Sequence, residues 1–234
     1  MTDQPAKPKS RPSARPLKRP TPRVLRLLEW AAGSILIAIF IGLVGIVVVV
    51  EHYQSDLPST DQLANYDPKV VTRLYSSDSK LMAEYAKEKR FFLPLSAIPK
   101  NVQDAFIAAE DKNFYSHKGV DLWGTARAMR GNILHYGQGR SLAGGSTITQ
   151  QVVKNFLLTS EKSFERKIKE AILAYRISNS YTKEKILELY LNHIYFGRGR
   201  YGIEEAARDS FGKSAKDLSI AEAALLAGTI ACPE

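Results

Sequence analysis

The chain has 234 residues, 44% of them hydrophobic, a formal net charge of +9 and a single cysteine, Cys232. That length allows one ordinary domain with attachments and a sizeable core. A lone cysteine excludes an internal disulfide and a cysteine-built metal cluster, so packing alone must hold the fold.

The charge is unevenly placed. Residues 1–29 hold Lys7, Lys9, Arg11, Arg15, Lys18, Arg19, Arg23 and Arg26 against Asp3 and Glu29, together with six of the eleven prolines. Such a segment cannot form a packed core and reads as a disordered basic tail. The next 21 residues, WAAGSILIAIFIGLVGIVVVV (30–50), carry no charge and suit one transmembrane helix. A Val run followed by Glu51-His52-Tyr53 is not a signal-peptidase site, so a permanent anchor is expected. Positive residues before it place the N-terminus in the cytoplasm and everything after residue 50 outside. The anchor accounts for the basic tail, and nucleic acid is not expected as a partner.

Residues 51–69 are polar, include Pro58 and Pro68, and read as a spacer before a domain covering 70–234. VVTRLYS (70–76) and RFFLPL (90–95) are the expected strands, flanking LMAEYA (81–86). From about residue 97 the pattern is mostly helical. In AFIAAEDKNFYSHKGVD (105–121), Val102, Phe106 and Ala109 mark one side of a helix and place Glu110 beside the apolar stripe. A carboxylate there is partly stripped of water, as a proton-exchanging group requires. A helix end whose acids simply face water explains the same pattern. Residues 121–142 mix Trp123, Met129, Ile133, Leu134 and Tyr136 with Arg127, Arg130 and Arg140, which suits a bilayer surface or an ordinary exposed helix.

GGSTITQQVVKNFLL (144–158) opens as a helix start with free N–H groups, a natural phosphate site. Ser146, Gln150 and Lys154 follow on one polar line, with Ile148, Val152 and Phe156 on a core-facing side. In FERKIKEAILAYRI (164–177), Phe164, Ile168, Ala171, Ile172 and Tyr175 read as the core stripe, and Arg166, Glu170, Leu173 and Ile177 as a second line. KEKILELYLNHIYF (183–196) has a core face of Ile186, Leu187, Tyr190, Leu191 and Ile194. SIAEAALLAG (219–228) begins with a Ser219–Glu222 capping box.

Several short matches carry no chemistry. GRGRYG (197–202) fits the dinucleotide fingerprint but follows a helix, not a strand, and reads as a glycine-rich turn. SDSK (77–80) fits Ser-x-x-Lys without a Lys-Thr-Gly partner. His117, His135 and His193 lie at no metal-ligand spacing, so a protein-built zinc site is not expected.

Four segments occur in a fixed order: Glu110-Asp111-x-x-Phe114-x-x-His117-x-Gly119, GGSTITQQVVKN (144–155), RKIKE (166–170) and ILELYLNHIYFG (186–197). They resemble the family 51 glycosyltransferase domain, the peptidoglycan glycosyltransferase of class A penicillin-binding proteins. The resemblance implies a mainly α, lysozyme-like bilobal fold behind the single N-terminal anchor, with segment 121–142 in a membrane-facing jaw. It implies polymerisation of lipid II into β-1,4 glycan strands, with inversion and release of undecaprenyl diphosphate. Its partners would be lipid II, the nascent glycan strand, the cytoplasmic membrane and cell-wall synthesis proteins.

Carried over by motif, Glu110 is the base, Asp111 supports it, and Glu170 is the second acid on the diphosphate side. Substrate binding falls to Ser146, Thr147, Gln150, Gln151, Lys154, Asn155, Lys162, Arg166, Lys169 and His117. The implied cofactor is a divalent cation, Mg²⁺, brought with the diphosphate and not caged by protein. Lys162 stands where the family usually carries Arg, and Ser210 where it usually carries an aromatic. The chain reads LAGTIACPE at 226–234 in place of the family's continuation, so transpeptidation is not expected. Two alternatives share the same residues: a lysozyme-like enzyme that cleaves glycan, and an inactive lipid II-binding scaffold. The former needs no cation cluster, so Lys154, Lys162, Arg166 and Lys169 favour transfer.

Overall fold

In the computed structural model, residues 22–54, 57–63, 72–85, 89–135, 144–158 and 163–230 are described. They fall into two units, one ending at Gln54 and one beginning at Ser55. The first is a single helix, α1 (Pro22–Gln54), long and apolar enough to cross a membrane. It extends the 21-residue apolar run at both ends, because helical hydrogen bonds continue past the point where charged residues appear. Pro22 suits the first position, where a missing N–H costs nothing.

The second unit opens with a short 3-10 turn at Thr60–Leu63, whose Leu63 is buried in the core, followed by a hairpin of β1 (Thr72–Tyr75) and β2 (Leu81–Tyr85), paired antiparallel from Thr72 opposite Tyr85. Segment 81–86 thus supplies a strand, whereas the expected strand at 90–95 is absent beyond its first residue. Only β3 (Lys89–Arg90) pairs there, in parallel with β4 (Arg200–Tyr201). The reason lies in side chains that take the ladder's place. Asn192 accepts from the Leu93 N–H and donates to its carbonyl, Glu188 accepts from the Leu95 N–H, and Pro94 has no N–H to give. SDSK lies in the hairpin turn, where Ser76 binds Lys80.

The core is helical. It is built from α2 (Lys100–Glu110), α4 (Ile148–Leu157), α5 (Phe164–Ser180), α6 (Lys183–His193), α7 (Ile203–Phe211) and α8 (Ile220–Thr229). The helix α3 (Leu122–Leu134) contributes no buried residue. α4 packs against both α5 and α6, and α2 against α8. Val102, Phe106, Ile148, Val152 and the whole expected face of α6 are buried, with Ile107 in place of Ala109, which is exposed.

α5 buries the other line of its sequence. Glu170, Leu173, Ala174 and Ile177 face inward, while Phe164 is 83% and Tyr175 54% exposed. The expected stripe loses because the loop after α2 approaches α5 at Ala174 through Gly119. The 197–202 segment is a turn in which Gly197, Gly199 and Gly202 all have positive φ. A Cβ at Gly202 would meet the Asn192 carbonyl at 2.8 Å, which reserves that position for glycine.

α8 starts on the expected capping box, with Ser219 and Glu222 bonding each other's backbone N–H. Lys213, then Ser219, hold the Glu222 carboxyl down to about 2 from its ordinary 4.5. A depressed acid stabilises the fold above its unfolded value and loses that contribution as pH falls through the folded one. Melting curves should therefore show Glu222→Gln less stable than the parent at pH 6. The gap should close progressively between about pH 4.5 and 2. A gap constant down to pH 2 would exclude the carboxylate as its source.

Candidate active site

Glu110 is the last residue of α2, and its neighbour Asp111 leaves the helix with φ −155°. That break turns the two carboxylates in different directions. The Glu110 Oε2 accepts a hydrogen bond of 2.7 Å from Gln151 Nε2 on α4. Asp111 is buried and accepts from the Ile148 N–H at 3.0 Å and from His117 Nε2 at 3.0 Å. Thr147, the N-cap of α4, donates to the Gly119 carbonyl at 2.6 Å and closes a capping box with Gln150. The loop after α2 is thereby fastened to the start of α4, and Glu110 is held against α4's flank.

Glu110 lines two cavities. The larger, about 400 Å³, is completed by Ser146, Gln150, Gln151, Lys154, Arg166, Lys167 and Glu170. The smaller, about 170 Å³, lies toward α3 and includes Asp111, Lys112, Asp121, Arg127 and Thr147. Across the larger cavity, Glu170 is 1% exposed and faces two cations. Lys167 Nζ is 2.5 Å from Oε2 and Arg166 Nε 3.3 Å from Oε1. The latter is a contact of charges, since neither atom makes a hydrogen bond. Lys167 also donates to Ser146 Oγ at 2.9 Å, joining α5 to the start of α4.

The structure thus brings together Glu110, Ser146, Gln150, Gln151, Lys154, Arg166 and Glu170 on one wall set. Asp111, Thr147 and His117 stand behind it, bonding the loop after α2 to the start of α4. Lys169 is elsewhere: it pairs with Glu165 at 2.7 Å and does not line either cavity. Lys167 takes the position beside Glu170, one turn away at i,i+3, a choice that a run of three cations does not reveal. Asn155 is exposed and also lines neither cavity. Lys162 lies outside the described residues.

Burial raises the Tyr190 phenol well above its usual value, and the charges of Glu110 and Asp111 raise it further. Burial lowers Lys183, with Asp111 partly opposing that shift. Both belong to α6, which sequence reading treated as core alone.

The transglycosylase family model matches residues 78–234, and so spans the hairpin turn, both carboxylates and the cation cluster. The chain belongs to the transglycosylase family. Among relatives of this transglycosylase chain, penicillin-binding protein 1A of Rickettsia felis is 58% identical over 185 residues, covering 79% of this chain and 23% of that protein. Penicillin-binding protein 1A of Neisseria gonorrhoeae is 48% identical over 193 residues, covering 82% and 24%. The transglycosylase chain thus spans about a quarter of the length of the curated relatives it matches. A crystal structure of penicillin-binding protein 1A from Haemophilus influenzae matches with 22% identity and a TM-score of 0.36, covering 72% of this chain and 15% of that one. At that score the likeness carries no weight for the geometry.

Proposed function

We propose that the chain is a peptidoglycan glycosyltransferase acting in bacterial cell-wall synthesis, joining lipid II to a growing glycan strand by an inverting displacement. The observation that carries this reading is one cavity with a carboxylate, Glu110, on one wall and Lys154, Arg166 and Lys167 on others. The acceptor hydroxyl is a poor nucleophile and needs a base within hydrogen-bonding reach. Glu110 is exposed to the cavity and aimed by Gln151. Its carboxylate would take the hydroxyl proton while the oxygen forms the new β-1,4 bond at the donor's anomeric carbon.

The bond from that carbon to the diphosphate breaks with negative charge growing on the departing oxygens. Fixed cations then favour the transition state over the ground state. Lys154, without an ion-pair partner among the described residues, Arg166 and Lys167 supply them. Glu170 keeps Arg166 and Lys167 in place. A cleaving enzyme would have no use for this cluster, which argues against glycan hydrolysis.

Among the described residues no three acidic, His or Cys side chains converge on a metal position. The acids of the larger cavity are Glu110 and Glu170. A divalent cation such as Mg²⁺ would arrive on the diphosphate, with Glu170 as the carboxylate able to approach it. Bound there, it would add positive charge to the leaving group.

The apolar α1 and the basic residues before it support a single membrane crossing with a cytoplasmic N-terminus. α3 exposes Leu122, Trp123 (82%), Met129, Ile133 and Leu134, which supports a jaw resting in the bilayer surface. The proposed division is therefore a basic tail, an anchor helix that α1 extends to Pro22–Gln54, and a glycosyltransferase unit from Ser55 that already buries Leu63 within the expected spacer.

The test is polymerisation of labelled lipid II by the full chain in detergent with Mg²⁺. Long strands are expected; cleavage of isolated peptidoglycan without polymerisation would overturn the reading. Glu170→Gln should lower kcat by about 10²-fold. It should also cost about 2 kcal/mol in melting experiments, below the 3–5 typical of a broken buried pair because Lys167 is half exposed. Full activity in that variant would remove Glu170 from the mechanism.

A further inference from the structure

The apolar line of α5 that the core does not take stays on the outside of the unit. Phe164, Ile168, Ala171, Ile172 and Tyr175 recur at helical spacing and share one face along the helix. Phe164 is 83% and Tyr175 54% exposed, and the three between them are partly buried. One exposed hydrophobic side chain needs no explanation, but an uncharged line running the length of a helix marks a contact surface. The inward side of α5 is already filled by Leu173, Ala174 and Ile177, so the core has no use for the second line.

What covers this face follows from its neighbours. The loop that leads into α3 rests on α5 at Gly119, against the Ala174 carbonyl and the Tyr175 nitrogen. Leu122 and Trp123, 76% and 82% exposed, begin α3 just beyond it. Nearer the start of α5, Lys167 donates to Ser146 Oγ at 2.9 Å, while Thr125 of α3 donates to the Gly145 carbonyl at 3.1 Å. The first turns of the two helices therefore flank Gly145 and Ser146, and Ser146 lines both cavities.

Charge selects the occupant. Lys118, Arg127 and Arg130 are exposed on the loop and on α3, Lys167 is half exposed, and α3 contains no acid. Aromatic rings interleaved with exposed cations suit the boundary between headgroups and acyl chains, where the cations meet phosphates. A helix of the same chain, α1, is long and apolar enough to cross a membrane, so a bilayer is the surface at hand.

We propose that the outer face of α5 is a second membrane-contact surface, with the lipid bilayer as its occupant. Phe164 inserts among the acyl chains and Tyr175 lies at headgroup depth. Together with α3, this face holds the Ser146 wall of both cavities at the level of the lipid phosphates. The inference rests on the reading of α3 as a bilayer contact and is independent of what the cavities catalyse.

The test uses the full chain with Cys232→Ser, so that one introduced cysteine carries an NBD fluorophore. The protein is placed in liposomes of phosphatidylethanolamine and phosphatidylglycerol without lipid II. Phe164→Cys and Tyr175→Cys report on α5 and Trp123→Cys on α3, while Lys216→Cys, in the turn before α8, is the aqueous control. All four positions are exposed, and melting curves serve as the fold control. A nitroxide on the acyl chains should remove at least about half the emission at positions 164 and 123, with little lost to iodide in the water. Position 175 should be quenched by a headgroup nitroxide, and position 216 by iodide alone.

Iodide quenching at 164 as strong as at 216 would overturn the proposal. So would protection from both quenchers, which would mean that a protein partner or a second copy covers the face. Nitroxide quenching that begins only when lipid II is added would assign the face to the substrate's polyprenyl chain, and would overturn it as well. Quenching at 123 without 164 would sink the proposal and leave the reading of α3 standing; quenching at neither would sink both.

Discussion

Glu110→Gln is expected to abolish strand synthesis, with a loss of at least about 10³-fold in kcat and unchanged binding of lipid II. The amide keeps the shape of the carboxylate and can still accept from Gln151, so the wall of the cavity stays in place. What disappears is the capacity to take a proton from the acceptor hydroxyl. Stability should not fall. A negative charge on the last residue of a helix opposes the helix dipole, and Asp111 is a like charge beside it. Removing it should leave the melting temperature equal or slightly raised, a trade commonly made by functional groups held in unfavourable places. Strand synthesis in labelled lipid II, scored beside melting curves, separates the outcomes. Retention of more than a tenth of the parent's rate would assign the base to another group.

Much of this could be read from residue order, and the reasons for the exceptions are local. α6 was legible because its apolar spacing and its burial agree at Ile186, Leu187, Tyr190 and Leu191. The two capping boxes, at Thr147–Gln150 and Ser219–Glu222, are determined by contacts three residues apart, and only the second was recognised beforehand. α5 misled because the line from Phe164 to Tyr175 carries no charge, whereas the line that is buried includes Glu170. That burial is decided by a glycine loop about fifty residues earlier in the chain. The same distance hid the site's supports. Asp111 reaches Ile148 across 37 positions and Gln151 reaches Glu110 across 41, and no local period encodes such pairs. The strand at 90–95 was wrongly expected because Asn192 and Glu188, which satisfy that backbone, lie about a hundred residues further along the chain; the strand at 81–85, by contrast, pairs locally with β1 across a short turn.

The site's dependence on that loop makes Gly119→Ala a severe substitution for the fold. Gly119 sits at φ +89°, a region that side-chain-bearing residues rarely adopt. An added Cβ would stand 2.2 Å from the Ala174 carbonyl oxygen, 2.5 Å from its carbon and 2.9 Å from the Tyr175 nitrogen. These are backbone atoms in the middle of α5, which cannot rotate aside as a side-chain tip would. Relief requires the loop to withdraw from α5. Its withdrawal strains the Thr147 hydroxyl bonded to the Gly119 carbonyl, and with it the N-cap of α4. Strain at φ and a backbone clash together should cost at least about 3 kcal/mol. Gly199→Ala is the control: φ is +74°, nothing lies within 4 Å of the new Cβ, and the cost should be about 1 kcal/mol. Denaturant unfolding in detergent measures both. Equal costs would mean that the clash is absorbed and that φ alone matters. Unequal costs, with strand synthesis lost in the Gly119→Ala protein that remains folded, would show that the contact with α5 holds Asp111 and Glu110 in register with α4. Glycine at 119 then serves the chemistry through packing: the base is only as well aimed as the loop behind it is seated.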